Sequence, residues 1–364
     1  DSYLEQTVVA NPHLGLIFDP PKGEPTVYPR ASEELPREAK EIKPHPHGVE
    51  LGMLQMMLSD APDETIKHVL TDRFSRVSAA VADEICVKAA VAPKMRAGDV
   101  HGDELDRLHK ALGEVKVMAP SADCVVPIGE YLLKTGLRRR YSKAEFYASS
   151  TRPPSVYRGN PFVVEVGLAY GGDMPTDESA DVMRFANRVP LQYQPKACAI
   201  SESVYQTNWK AYEVSQPKGS LPVGPLAVVV HLASVWVPFT SEAKEAVAHY
   251  DDLMRELRLA VQECGRKLAT YLRAQHKAQS EQKRLGIFQR YIPEVAEALS
   301  IILERDKDEI ARQFQAALPN FVRLGQTTEG AEAAAGAAPP APSMLPPADS
   351  AAPPSMGEPP AGFD

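Results

Sequence analysis

Apolar and polar positions divide the 364-residue chain into zones of different period. Leu51, Leu54, Met57 and Leu58 fall at helical spacing, and Ala79 to Ala92 and Asp103 to Leu112 read as further helices. Thr71-Asp72-Arg73-Phe74-Ser75 gives a turn and cap signal between them. A last helix of this zone starts at Ile128 to Leu133 and is expected to stop at Gly136. Beyond it the pattern changes. Phe162 to Ala169 predicts a strand, Ala197 to Ile200 a short one, and Glu178 to Ala186 a helix. Leu226 to Val235 is apolar on both faces, the mark of a central buried strand.

The clearest periodicity comes next. Val247, Tyr250, Met254, Leu257, Val261, Cys264, Leu268 and Tyr271 alternate spacings of three and four. They predict one uninterrupted helix from about Ser241 to Arg284, long enough to be a lever. A second helix is expected from Pro293 to about Leu318. At the other end, Tyr3 to Val9 reads as a short helix and Leu14 to Phe18 as a strand, followed by a turn at Pro20 to Gly23. One helix and one strand cannot bury a core alone, so these residues are expected to end a larger domain. The fold class is α+β. The expected divisions are 1–30, a domain remnant; 31–140, a helical domain; 141–324, an α/β domain with the long helix; and 325–364, a tail.

Composition alters this picture mainly in the tail. Nine prolines lie between Pro339 and Pro360 among Ala, Gly, Ser and Met, a composition expected to be disordered. The tail holds Glu329, Glu332, Asp349, Glu358 and Asp364 and no basic residue, so five of the net eight negative charges belong to it. Any contact with a nucleic acid would then rest on local basic patches. Four scattered cysteines without a Cys-x-x-Cys pair suggest reduced thiols in a cytoplasmic protein rather than disulfides or zinc. The longest apolar run is too short for a membrane helix. No signal peptide is evident, and the absence of an initial Met fits an incomplete chain.

Several stretches could carry chemistry. Lys244 opens the expected long helix, where Thr240 or Ser241 could cap. A cation there opposes the helix dipole unless an anion is near. A plain surface lysine is the alternative. Lys218, in Gln216-Pro-Lys-Gly-Ser220, reads as an ordinary turn. Trp209-Lys210-Ala211-Tyr212 could place a cation on DNA phosphate and rings on sugars, or its rings could pack under a sheet. Arg138-Arg139-Arg140 could contact phosphate or simply complement a helix C-terminus. His45 and His47 flank Pro46 without further ligands at metal spacing, which suggests a hinge. Ser201 and Ser203 lack the Gly-x-Ser-x-Gly elbow of a hydrolase.

Five strings resemble the B-subunit family of DNA topoisomerase VI: Lys43-Pro-His-Pro-His-Gly-Val-Glu-Leu-Gly52, Phe74-Ser-Arg-Val-Ser78, Arg152-Pro-Pro-Ser-Val-Tyr-Arg-Gly-Asn-Pro161, Phe185-Ala-Asn-Arg-Val-Pro-Leu191 and Val237-Pro-Phe-Thr-Ser-Glu-Ala-Lys-Glu-Ala246. The resemblance implies the end of a GHKL-type ATPase domain, then a helix–two-turns–helix domain, then a transducer. It implies a type II, ATP-hydrolysing topoisomerase that passes one DNA duplex through another, with ATP and Mg2+ as cofactors. The implied partners are double-stranded DNA, the DNA-cleaving A subunit of topoisomerase VI and a second B subunit, with no membrane. It makes Lys244 the switch lysine that reaches the γ-phosphate. The family's Asn-bearing helix, Asp-x-Gly-x-Gly turn and Gly-rich lid are absent here, so the chain by itself is expected to be inactive. The rival reading is a non-catalytic scaffold that holds a DNA-cleaving partner on DNA.

Overall fold

The computed structural model describes residues 2–317; the expected disordered tail lies outside them. The chain divides into two compact units, residues 1–275 and 276–364, and each is described by itself.

In the first unit, helix α1 (Ser2–Ala10) leads into a two-stranded antiparallel sheet of β1 (Leu16–Phe18) and β2 (Thr26–Tyr28). A helical cluster follows: α2 (Leu51–Ser59), α3 (Ile66–Arg73), α4 (Ala79–Ala89) and α5 (Asp103–Glu114). Thr65 and Ser78 cap α3 and α4, their hydroxyls accepting from the amides of His68 and Val81. The cap of α4 therefore lies just beyond the turn signal at residues 71–75. The four helices bury Leu54, Ile66, Leu70, Ile85 and Leu108 in a core of their own.

Helix α6 (Glu130–Arg140) precedes a six-stranded sheet: β3 (Phe146–Thr151), β4 (Ser155–Tyr157), β5 (Asn160–Tyr170), β6 (Asp181–Ala186), β7 (Val189–Pro190) and, after α7 (Ala199–Gln206), β8 (Leu226–Ser234). The order is β3-β5-β8-β6-β7, with β4 pairing β5. Only the β6–β8 pair is parallel. Helix α8 (Asp251–Leu303) follows. Side chains alternate across the sheet. Val164, Val166, Leu168, Val228, Val230 and Leu232 share a core with α7 residues and with Leu253, Leu257, Val261, Cys264 and Leu268 of α8. Ala169, Met183, Phe185, Ala227 and Val229 face Val9 and Ala10 of α1 and Leu132, Leu133 and Leu137 of α6. Coverage on both faces explains why β5 and β8 read as largely apolar runs.

Several expectations are corrected. Gly136 does not end α6. It sits inside the helix where α1 crosses, and a Cβ there would overlap the Val9 carbonyl. Residues 181–186 form a strand rather than a helix, and Ala199–Gln206 is a helix rather than a strand. The long helix begins at Asp251, not Ser241, so Val247 and Tyr250 precede it. It continues through Pro293, where a new helix was expected. The expected boundary at 140/141 parts α6 from the sheet on which it packs.

In the second unit, the distal part of α8 is followed by a turn at Glu304, in the left-handed region at φ 50°, and by α9 over residues 307–317. Ile292, Ala296 and Ile310 are buried, and Lys307 Nζ lies 2.7 Å from Glu297 Oε2. Among the described residues, no helix is long and apolar enough to cross a membrane.

Candidate functional site

The sixteen residues between β8 and α8 form a loop with a pinned neck. Phe239 pairs with Val247 in an isolated antiparallel bridge. The Thr240 amide donates to the Ala246 carbonyl at 2.9 Å, and the Ala248 amide to the Pro238 carbonyl at 2.7 Å. The neck is also tied to the start of α7, where the Ala199 amide donates to the Val247 carbonyl at 2.8 Å. Ala246 and Val247 are fully buried.

Lys244 stands at the exposed tip of this loop, in the left-handed region at φ 56°. Its amide donates to the Ser241 carbonyl at 3.1 Å. Among the described residues, no hydrogen-bond or ion-pair partner holds its ammonium. The neighbouring Glu245 is engaged, 2.6 Å from the Gln194 side-chain amide. Lys244 therefore does not sit in a helical first turn, and the helix dipole plays no part in its environment. What the fold supplies is an exposed cation on a loop whose neck is bonded across itself and to the start of α7.

Lys218 is also exposed, but it lies in a turn before β8. Gln216 braces that turn, accepting from the Trp209 amide and donating to the carbonyls of Tyr205 and Ser220.

The basic run divides by position on α6. Arg138 is exposed, with its guanidinium 5.2 Å from the Tyr147 ring centroid. Arg139 is half-buried, near the Tyr28 ring and the Leu14 carbonyl, and burial lowers its pKa. Arg140 pairs with Glu5 and with Asp181 and donates from Nε to the Tyr141 hydroxyl at 3.1 Å. Burial lowers its pKa, but those partners outweigh burial and the net shift is upward. Arg140 thus ties α1 to β6 and is corrected as a DNA contact.

Trp209 is corrected as well. It is fully buried, and its Nε1 donates to the Val204 carbonyl at 2.9 Å, which satisfies the one polar atom of the ring. Tyr212 stacks edge-on against it and lies over α8 at Gly265, where a Cβ would come 2.5 Å from the ring. Lys210 is the exposed cation of this string.

His45 and His47 engage the carbonyls of Met118 and Val115 at 3.1 and 2.8 Å, which joins their turn to the end of the helical cluster. Among the described residues, no group of three or more His, Cys, Asp or Glu is arranged to hold a metal.

Sequence reasoning passed over a buried polar network at the sheet centre. Glu165 of β5 accepts from the Ile128 and Gly129 amides at 2.6 and 2.7 Å and from the Thr151 hydroxyl at 2.9 Å. Its carboxylate holds the start of α6 against the sheet. His231 of β8 accepts at Nε2 from the Arg188 amide, so Nδ1 carries the proton that faces Glu165. Arg188 donates to the carbonyls of Ala10 and Pro127. The visible signal was a single acid and a single histidine within two apolar runs.

The domain thus consists of a sheet covered on both faces, joined by a loop with a bonded neck to a long helix. Residues 120–284 match the family model described as "Topoisomerase VI B subunit, transducer". The chain is 41% identical over 329 residues to the B subunit of type 2 DNA topoisomerase 6 from Methanococcoides burtonii, covering 90% of this chain and 53% of that protein. Identity to the corresponding protein of Methanosarcina acetivorans is 41% over 308 residues, covering 85% and 49%. For that of Saccharolobus solfataricus it is 34% over 315 residues, covering 86% and 58%. By sequence the chain is similar to the B subunits of topoisomerase VI over most of its own length, and it spans about half the length of the curated relatives it matches.

Proposed function

We propose that this chain acts as the transducing part of a topoisomerase VI B subunit. In that role it couples ATP binding and hydrolysis to the double-strand DNA passage carried out with the A subunit. The observation that carries this reading is Lys244, an ammonium without a partner among the described residues, at the tip of a loop whose neck is bonded across itself and to the start of α7.

In a complete subunit Lys244 meets the terminal phosphate of the nucleotide. A cation fixed there stabilises the charge that spreads over the equatorial oxygens during phosphoryl transfer. Mg2+ would neutralise charge on the same phosphates; the described residues of this chain do not form a site for it. Because the neck is bonded to α7 and leads directly into α8, a displacement of the tip is passed to both elements. Residues 49–115 serve as the helix–two-turns–helix unit and about 120–284 as the transducer. Arg138 and Lys210, the exposed members of the two basic strings, serve as DNA phosphate contacts. Ile287, Phe288 and Tyr291, exposed on distal α8, suit a contact with the A subunit. A cytoplasmic location goes with this role.

The test is Lys244→Ala in a full-length B subunit reconstituted with its DNA-cleaving partner. ATP turnover should fall about tenfold or more, equivalent to ~1.4 kcal/mol of transition-state stabilisation. Nucleotide affinity should change far less, and Lys218→Ala should leave turnover nearly intact. Loss of hydrolysis in Lys218→Ala but not in Lys244→Ala would overturn the assignment. The 364-residue chain alone should show no stoichiometric, magnesium-dependent ATP binding by calorimetry.

A further inference from the structure

We propose that the cavity at Arg184 is a binding site for a small monocarboxylate, distinct from the Lys244 loop and independent of its role. Arg184 lies on β6, on the same face as Val182 and Ala186, and is only 4% exposed. Its Nη2 donates to the Tyr193 carbonyl at 2.9 Å, while Nη1 is buried without a hydrogen-bond partner. The described residues give it no carboxylate. Among the described residues, this buried guanidinium therefore has no anionic partner. Such a group is strongly destabilising where nothing answers it.

Beside it is a cavity of about 460 Å³. Among the described residues, Arg184 is the one charged residue in its wall, with Gln6, Gln192 and Ser201 among the neutral polar groups and Leu191 and Leu221 among the apolar ones. This composition selects the ligand. A carboxylate carries the single negative charge that one guanidinium balances and accepts its N–H groups in their own plane. A phosphate dianion would bring a second charge with no second cation to meet it. The leucines provide for a short aliphatic or aromatic body behind the carboxylate, and the amides and hydroxyl fix its orientation.

The site also has a defined frame. The Leu191 amide donates to the Arg184 carbonyl at 2.8 Å, which fixes the lining loop to β6. Gln6 comes from α1 and Ser201 from α7, so a bound acid would contact elements on both faces of the sheet.

The experiment uses the whole 364-residue chain and benzoate as probe, with benzamide and inorganic phosphate as controls, followed by calorimetry and ligand-observed NMR. Benzoate should bind saturably and one-to-one with Kd at or below roughly 1 mM. Benzamide, which keeps the ring and loses the charge, should bind at least about tenfold more weakly, and so should phosphate. Arg184→Met removes the charge at similar volume, and Leu221→Trp fills the cavity with Arg184 in place. Each should weaken benzoate about tenfold or more. No saturation by roughly ten times the expected Kd would overturn the proposal. So would equal binding of benzamide, preference for phosphate, or unchanged affinity in Arg184→Met. If either variant fails to fold by circular dichroism, the comparison of benzoate with benzamide on the unmodified chain still decides.

Discussion

Glu165 and His231 face each other across β5 and β8 with Oε2 2.8 Å from Nδ1, and both side chains are fully buried. This pair, with the amides it holds, joins α6, the two central strands and the Asn187–Arg188 turn. Burial pushes the Glu165 pKa up, but hydrogen bonds from His231 and from the Ile128 and Gly129 amides prevail and hold it below the usual range. A group depressed in the folded state contributes stability that is full above its unfolded pKa, near 4.3, and is lost as pH falls through the folded value. Thermal unfolding midpoints should therefore decline as the pH drops below about 4.3. Glu165→Gln should cost about 2–4 kcal/mol at neutral pH and flatten that acid decline. An unchanged acid profile in the variant would remove Glu165 from this role.

The crossing of α1 and α6 at Gly136 makes a prediction of opposite sign to helix propensity. Gly136→Ala should gain about 1 kcal/mol from propensity alone. The added methyl instead meets the Val9 carbonyl, and overpacking of this kind costs about 1–3 kcal/mol. Denaturant unfolding should show net destabilisation. A more stable variant would show that α1 does not seat there.

The proposed DNA contacts separate two neighbouring arginines. Arg138→Ala should weaken non-specific duplex binding and reduce the slope of log affinity against log salt by about 1. Arg140→Ala should leave that slope alone while lowering stability, since Glu5 and Asp181 lose their partner. Salt titrations by fluorescence anisotropy would expose a reversed pattern.

Thiol reactivity should follow burial. The Cys264 pKa is pushed up to about 12 by burial, and its Sγ–H faces the Val166 carbonyl at 3.4 Å. At such a value its thiolate population is roughly three-thousandfold below that of a free thiol near 8.5. Cys124 is partly exposed. Alkylation of the native protein followed by mass spectrometry should modify Cys124 first and Cys264 only after unfolding. Early labelling of Cys264 would mean that α8 leaves the sheet readily.

Much of this architecture was legible because period and burial coincide. Met254, Leu257, Val261, Cys264 and Leu268 read as a helical stripe and are buried as one. The start of that helix was misread because Val247 and Tyr250 keep the same spacing while belonging to the loop. Residues 181–186 hid their strand because Val182 and Arg184 on one face and Met183 and Phe185 on the other are all covered. Interleaved rings and cations at 209–212 carry no direction in sequence, so the buried indole of Trp209 could not be told from an exposed one. The Glu165–His231 contact depends on strand register across 66 residues, and no local pattern encodes that.

The placement of β8 also sets an order of assembly. It is the last strand of the sheet in the chain, yet it lies between β5 and β6 and pairs with both. Until Ser234 has left the ribosome, β5 and β6 have no common neighbour, and their apolar edges stay unpaired. The helical cluster around Leu54, Ile85 and Leu108 is built from contacts closer in sequence and can close earlier. Synthesis thus delivers a folded helical unit followed by an open sheet, and the interval before β8 arrives is when the nascent chain is most exposed to misassociation.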